Sequence, residues 1–199
     1  MFSRVTTAER VDPRVKRTRK LLQQAFLELL QEKGFASISI QDITQRATVN
    51  RATFYAHFPD KYALMDSILR EQFQQALAST LPPSPSWGAQ SLRLLIEGVF
   101  GFLRDCSKPR ETQFDPLVER AVQQELAKIL LSWLKQAKTG GVKPRVRLET
   151  AASVMSWAIF GTAVEWSRNE RAPSAKEMAT EVLLVLTEGV AHLAPGLLP

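Results

Sequence analysis

Between Ser39 and Lys61, Ser39, Gln41, Arg51, Thr53, Tyr55, His57 and Lys61 form a run of hydrogen-bonding side chains at short spacing. They comprise hydroxyls, an amide, an imidazole and two cations, with no nucleophile set beside a base. Such groups are suited to holding phosphates and reading base edges. Arg51 and Thr53 are the candidates for base edges. Ser39, Gln41, Tyr55, His57 and Lys61 are the candidates for backbone phosphate.

Those side chains need a scaffold, and the intervening residues specify one. Ser39 is suited to cap a helix, with Asp42 three residues on as a shortened capping box. Ile40, Ile43 and Ala47 then fall on one face at helical spacing. Thr48-Val49 makes a turn, and Asn50 caps a second helix over Arg51 to His57. Phe54 and Phe58 stand four apart, so they share a face able to pack on Ile40, Ile43 and Val49. Arg51, Thr53, Tyr55 and His57 lie opposite. A helix of fewer than ten residues is not stable alone, so its neighbours must hold it and leave the polar face outward. This is the layout of a helix-turn-helix, whose second helix enters the DNA major groove.

From about Thr18 to Leu64 the sequence resembles the DNA-binding domain of the TetR/AcrR family of bacterial transcriptional regulators. The resemblance is carried by Ala25-Phe26, Gly34-Phe35, Ile40 and Ile43, Arg46-Ala47, and Thr53-Phe54-Tyr55 followed by His57-Phe58 and Lys61. It implies a double-stranded operator as partner, a homodimer formed through the last two helices, and a small-molecule effector. Two departures stand out. Thr48 occupies the turn position where the family usually has Gly, and a β-branched residue is poor at positive φ, so a different local turn is expected. Ala52 also replaces a usual Gly, adding a methyl beside the groove that alters which bases are tolerated.

Composition supports this organisation. The net charge is +6, and residues 1–64 hold 11 Lys/Arg against 6 Asp/Glu, so +5 of it lies in the first third. That concentration suits a polyanionic partner. Cys106 is the single cysteine, which excludes an internal disulfide or a thiolate metal centre. The first residues lack the apolar core of a signal peptide, and Val154–Val164 is too short to span a bilayer, so a cytoplasmic protein with no membrane partner is expected. His57 and His192 are the only histidines, and no HExxH, GxSxG, phosphate loop or GxGxxG is present. Neither enzyme chemistry nor a cofactor or metal is expected.

In chain order, residues 1–12 read as a basic arm. A first helix starts at Pro13 with Asp12 as cap, is crowded with Arg14, Lys16, Arg17, Arg19 and Lys20, and ends at Gly34. Asp60 caps a fourth helix reaching Ala78 or Thr80. Leu81–Gly88 is a proline-rich break, and a fifth helix covers Ala89 to Asp105. A helix opened by Pro116 runs to Lys138, where the resemblance implies two helices and hence one break. Arg147 to Asn169 carries two apolar stripes: Val154, Trp157, Phe160, Gly161 and Val164, and opposite them Ala152, Met155, Ile159, Ala163 and Trp166. One must serve the chain's own core and the other a partner. The last helix opens with the capping box Ser174 to Glu177.

The expected fold is therefore all-α: an N-terminal three-helix DNA-binding domain, 1–64, and a helical ligand-binding and dimerisation domain, 65–199. An apolar cavity in the second is expected among Phe102, Trp133, Trp157 and Phe160. Gly98, Gly101 and Gly161 mark places of close approach or empty space. Its acids are few, namely Glu97, Glu149 and Glu165, so a neutral or weakly acidic hydrophobic effector fits better than a cation. The alternative is a DNA-binding regulator without a small ligand, controlled by a protein partner or acting as an activator.

Overall fold

The computed structural model describes residues 12–106, 115–137, 146–169 and 171–189. The expected basic arm, the loops around Pro109 and Gly140, and His192 lie outside them. Among the described residues there are eight helices and no strand: α1 (Pro13–Lys33), α2 (Ile40–Arg46), α3 (Arg51–His57), α4 (Lys61–Thr80), α5 (Ala89–Cys106), α6 (Asp115–Gln136), α7 (Leu148–Arg168) and α8 (Ala175–Glu188). None of these helices is long and apolar enough to cross a membrane.

The chain divides into two compact units, the first ending at Ile68 and the second beginning at Leu69. This places the division four residues beyond the expected one, inside α4. The first unit is built on Leu22, Phe26, Ile43, Phe54 and Leu64, all wholly buried. Its helix ends follow local chemistry. The Asp12 carboxylate accepts from Arg14 N–H, and Gly34 closes α1 at φ 69, donating its N–H to Leu30. The Ser39 hydroxyl accepts from Asp42 N–H while the Asp42 carboxylate accepts from Ser39 N–H, a complete capping box. Asn50 accepts from Thr53 N–H, and Asp60 from Ala63 N–H.

The turn between α2 and α3 departs from expectation. Thr48 sits at φ 54, in the left-handed region a glycine would occupy without strain, so the β-branched residue has not displaced the turn from it. Val49 N–H to Thr44 C=O at 3.0 Å and Ala47 N–H to Ile43 C=O at 2.9 Å hold the chain there. Packing has overridden propensity, at a local cost. Thr48→Gly is expected to raise the unfolding free energy by about 1 kcal/mol, the released strain exceeding the added freedom of the unfolded chain. Urea denaturation of the pair measures it.

In the second unit, Phe73 and Leu77 of α4 join a core with Leu95, Ile96, Val99 and Phe100 of α5, Leu126, Leu130 and Trp133 of α6, and Ile159 and Trp166 of α7. α7 packs on α5 and α6, and α8 on α5. α6 is one unbroken helix, against the break the resemblance implied. A Cβ at Gly98 would come within 2.8 Å of a Leu77 methyl, so this glycine does permit close approach of α4 and α5. At Gly101 and Gly161 it would meet nothing within 4 Å, and neither glycine is needed for packing among the described residues.

The two stripes of α7 have different fates. Ala152, Ile159, Ala163 and Trp166 are buried, and the Trp166 indole donates to the Pro173 carbonyl at 2.7 Å beneath the Arg104 guanidinium, 3.5 Å from its ring. Val154 and Trp157 remain 62% and 50% exposed, and Gly161 is exposed between them and Glu165. Phe160, grouped with Val154 and Trp157 by periodicity, is buried.

Candidate nucleic-acid interface

α3 stands on Phe54, which is wholly buried and meets the Phe58 ring at 6.0 Å. That anchor turns Arg51, Ala52 and Tyr55 into solvent and leaves Thr53 and His57 half-exposed. The Arg51 guanidinium lies 5.9 Å from the centre of the Tyr55 ring, and its Nη2 is 3.5 Å from the Tyr55 hydroxyl. Both groups thus face outward from neighbouring turns. The Thr53 hydroxyl donates to Asn50 Oδ1 at 2.9 Å, so it is left to act as an acceptor. Gln41, on α2, is exposed.

Two expected phosphate ligands are committed elsewhere. Ser39 gives both its hydroxyl proton, at 2.6 Å, and its N–H, at 2.8 Å, to the Asp42 carboxylate. Lys61 spends its three ammonium donors on the carbonyls of Ile38 (2.8 Å), Phe35 (3.0 Å) and Ala36 (3.3 Å), with its charge 4.7 Å from the centre of the Phe35 ring. An ammonium has three protons, so this one is saturated. Its position fastens the start of α4 to the α1–α2 connection.

Charge also braces α2 against α1. Arg46 makes a two-pronged pair with Glu32, both bonds 2.8 Å, and reaches Glu28 at 3.3 Å; Lys33 meets Asp42 at 2.8 Å. Spacing along one helix gives no hint of these pairs, which join residues up to eighteen apart. The Lys33 ammonium and the Ser39 donors hold the Asp42 carboxyl well below the usual carboxylate range, and Arg46 lowers Glu32. A lowered folded-state value contributes stability that is complete above the ordinary carboxylate pKa and lost as pH falls through the folded value. Stability of the first unit is therefore expected to be level down to about pH 5 and to decline below about pH 4. Asp42→Asn should be less stable than the parent at neutral pH, with the difference closing on acidification, as followed by urea midpoints.

Arg14, Lys16, Arg17 and Lys20 line the exposed start of α1. Arg19 is stacked 4.4 Å from the Phe58 ring centre and donates to the Ser67 hydroxyl at 2.8 Å, joining α1 to α4.

In the second unit, a cleft of about 680 Å³ is lined by Gln74, Leu77 and Ala78 of α4, Leu81, Pro82, Pro83 and Pro85 of the following segment, and Lys128, Ile129, Ser132 and Trp133 of α6. Of the four expected cavity residues only Trp133 borders it. Phe102 is buried against Phe73, ring centres 5.2 Å apart, and Phe160 is in the core. Trp157 is on the outer face of α7, so its assignment to a cavity is corrected. Periodicity placed these aromatics on helix faces but could not say which face turned inward. The prolines, read only as a break, form much of the wall.

Residues 22–68 match the family described as bacterial regulatory proteins, tetR family. An uncharacterised helix-turn-helix transcriptional regulator of Bacillus subtilis (strain 168), YxbF, is 37% identical over 93 residues, covering 43% of this chain and 24% of that protein. The chain thus spans about a quarter of that relative's length. The helix-turn-helix transcriptional repressor DhaR of Mycobacterium sp. (strain GP1) is 26% identical over 192 residues, covering 87% of this chain and 96% of that one. The crystal structure of a regulator from Pseudomonas aeruginosa PAO1 superposes with a TM-score of 0.54 over 92% of this chain and 95% of its own, at 20% identity, a likeness of fold. With the capped pair α2–α3, its buried Phe54 and its outward Arg51 and Tyr55, the match over residues 22–68 identifies this segment as a DNA-binding domain of the kind found in the tetR family of bacterial regulatory proteins.

Proposed function

We propose that the chain is a sequence-specific DNA-binding transcriptional regulator, a homodimeric repressor released from an inverted-repeat operator by a small hydrophobic effector. The observation that carries this reading is α3, a seven-residue helix fixed by one buried phenylalanine and presenting Arg51, Ala52, Thr53 and Tyr55 outward. Arg51 and Thr53 read bases, with the Ala52 methyl limiting which are tolerated. Gln41, Tyr55 and His57 hold phosphate beside the basic start of α1. Ser39 and Lys61 serve the site by fixing α2 and the α1–α2 connection, because their donors are occupied.

Dimerisation through α7 and α8 is supported by the exposure of Val154 and Trp157 on α7 and of Leu184 and Val185 on α8. Large apolar side chains exposed on two elements are the ordinary mark of a partner surface. Paired protomers would present two recognition helices to two half-sites. An effector acts on this arrangement only through its difference in affinity for the DNA-bound and free states. The domain reading is a first unit that reads DNA and a second that binds ligand and pairs.

Selection of binding sequences from a random duplex pool, followed by footprinting, tests the proposal. The expected product is an inverted repeat. Arg51→Ala should change the preferred base at one position of each half-site and weaken the best site by roughly tenfold or more. Tyr55→Phe should weaken all sequences alike. An unchanged ranking of half-site variants in Arg51→Ala would remove Arg51 from base reading, and binding without any sequence preference would overturn the proposal.

A further inference from the structure

Beside the cleft, two cations and an amide converge on one carboxylate. Glu125, 10% exposed, accepts from Arg70 Nη1 at 2.6 Å, from Lys128 Nζ at 2.8 Å and from Gln74 Nε2 at 3.1 Å. Arg70 is 19% exposed and also donates to Gln124 Oε1 at 2.6 Å. Lys128 differs, being 68% exposed. If its ammonium turned away, Glu125 would keep Arg70 on one oxygen and Gln74 on the other. Arg70 and Glu125 form a shielded pair, whereas Lys128 is the solvent-facing partner on the cleft wall.

The remaining lining sorts cleanly. Leu77, Ala78, Leu81, the three prolines, Ile129 and Trp133 are apolar; Gln74 and Ser132 are neutral and polar; among the described residues no Asp or Glu lines the cleft. Ser132 stands four residues after Lys128, so both lie on the same face of α6. A cation placed here would meet Lys128 without a lining carboxylate to offset it. A neutral apolar molecule would use the walls and leave the ammonium unused. A molecule with an apolar body and one anionic head would use both.

We infer that this cleft is a binding site for an amphiphilic carboxylate, its chain lying on Leu81, the prolines, Ile129 and Trp133 and its head on Lys128 and Ser132. The inference rests on reading the second unit as effector-binding, and it names the effector's class. It also supplies a route of action. The ligand's head takes Lys128 from Glu125, a contact within α6, and leaves that carboxylate to Arg70 and Gln74 of α4 alone.

The test is titration calorimetry of the full chain with octanoate and with octan-1-ol, which share an alkyl body and differ in charge. Octanoate is expected to bind once per chain and at least tenfold more tightly than the alcohol, as a charge-assisted contact implies. Lys128→Gln should remove that preference by weakening octanoate alone, and Lys128→Arg should restore most of it. Trp133→Ala should weaken both. Equal affinities in the parent, equal losses in Lys128→Gln, or no binding of either probe would each overturn the inference. So would dissociation of the dimer by octanoate, which would make the cleft an interface between copies. Because no DNA is present, the result stands apart from operator selection: sequence-specific DNA binding without octanoate binding sinks the inference and leaves the regulator reading intact.

Discussion

Gly161→Glu is expected to give a folded monomer, and Ala163→Glu, two residues away, is expected not to fold. On a helix this spacing turns the new side chain to nearly the opposite side. Ala163 is wholly buried, so its replacement places a carboxylate in the α7 core with no cation built to meet it. The penalty is on the order of 5 kcal/mol, against a total stability of about 5–15 kcal/mol for an ordinary domain. Gly161 has open space around it, and replacing a helical glycine gains roughly 1 kcal/mol in a lone chain. Its exposed stripe, with Val154 and Trp157, is the surface assigned to the partner protomer. The variant should therefore keep its helical circular dichroism and elute at half the parent's mass by light scattering at micromolar concentration. A dimeric Gly161→Glu would move the interface off this stripe, and a folded Ala163→Glu would contradict the burial of α7.

Lys61→Ala should damage the first unit's stability while leaving the salt dependence of its DNA binding unchanged. A lysine on phosphate would show the reverse: stability intact and the slope of log affinity against log salt smaller by about one unit. The geometry favours the first outcome, because all three ammonium donors go to the carbonyls of Phe35, Ala36 and Ile38. Loss of charge-assisted bonds of this kind costs about 2–3 kcal/mol when the acceptors are partly buried. Lys61→Arg keeps the charge but not the compact three-way geometry, so it should recover only part of the stability. Urea unfolding and salt titrations on each variant separate the two roles, and a flattened slope with unchanged stability would return Lys61 to the DNA backbone.

Local signals in the sequence specify most of the helix ends. Asp12, Ser39 with Asp42, Asn50, Asp60, and Ser174 with Glu177 each mark a helix start through a bond spanning two or three residues, and Gly34 marks an end. Such bonds are visible in composition and spacing alone. The features that escaped are those joining distant segments. Arg70 and Glu125 are separated by 55 positions, as Lys61 and Phe35 are by 26, and periodicity carries no trace of either. The left-handed Thr48 escaped for a different reason, since packing on both sides of the turn outweighed the side chain's own preference. The implied break in α6 does not occur. For α7, periodicity identified two apolar stripes but could not rank them, because the choice depends on where α5 and α6 lie.

The half-exposed Trp157 also makes the chain its own optical reporter. Trp133 and Trp166 are held in the core, so their indoles are already away from water, whereas Trp157 and the 38% exposed Trp87 are solvated. Burial of Trp157 against a second protomer would shift its emission to shorter wavelength, and dilution of the protein would reverse the shift. With Trp87 replaced by Phe, the remaining solvated signal comes from the α7 surface alone. The midpoint of the dilution curve would then read out the dimer dissociation constant without a label.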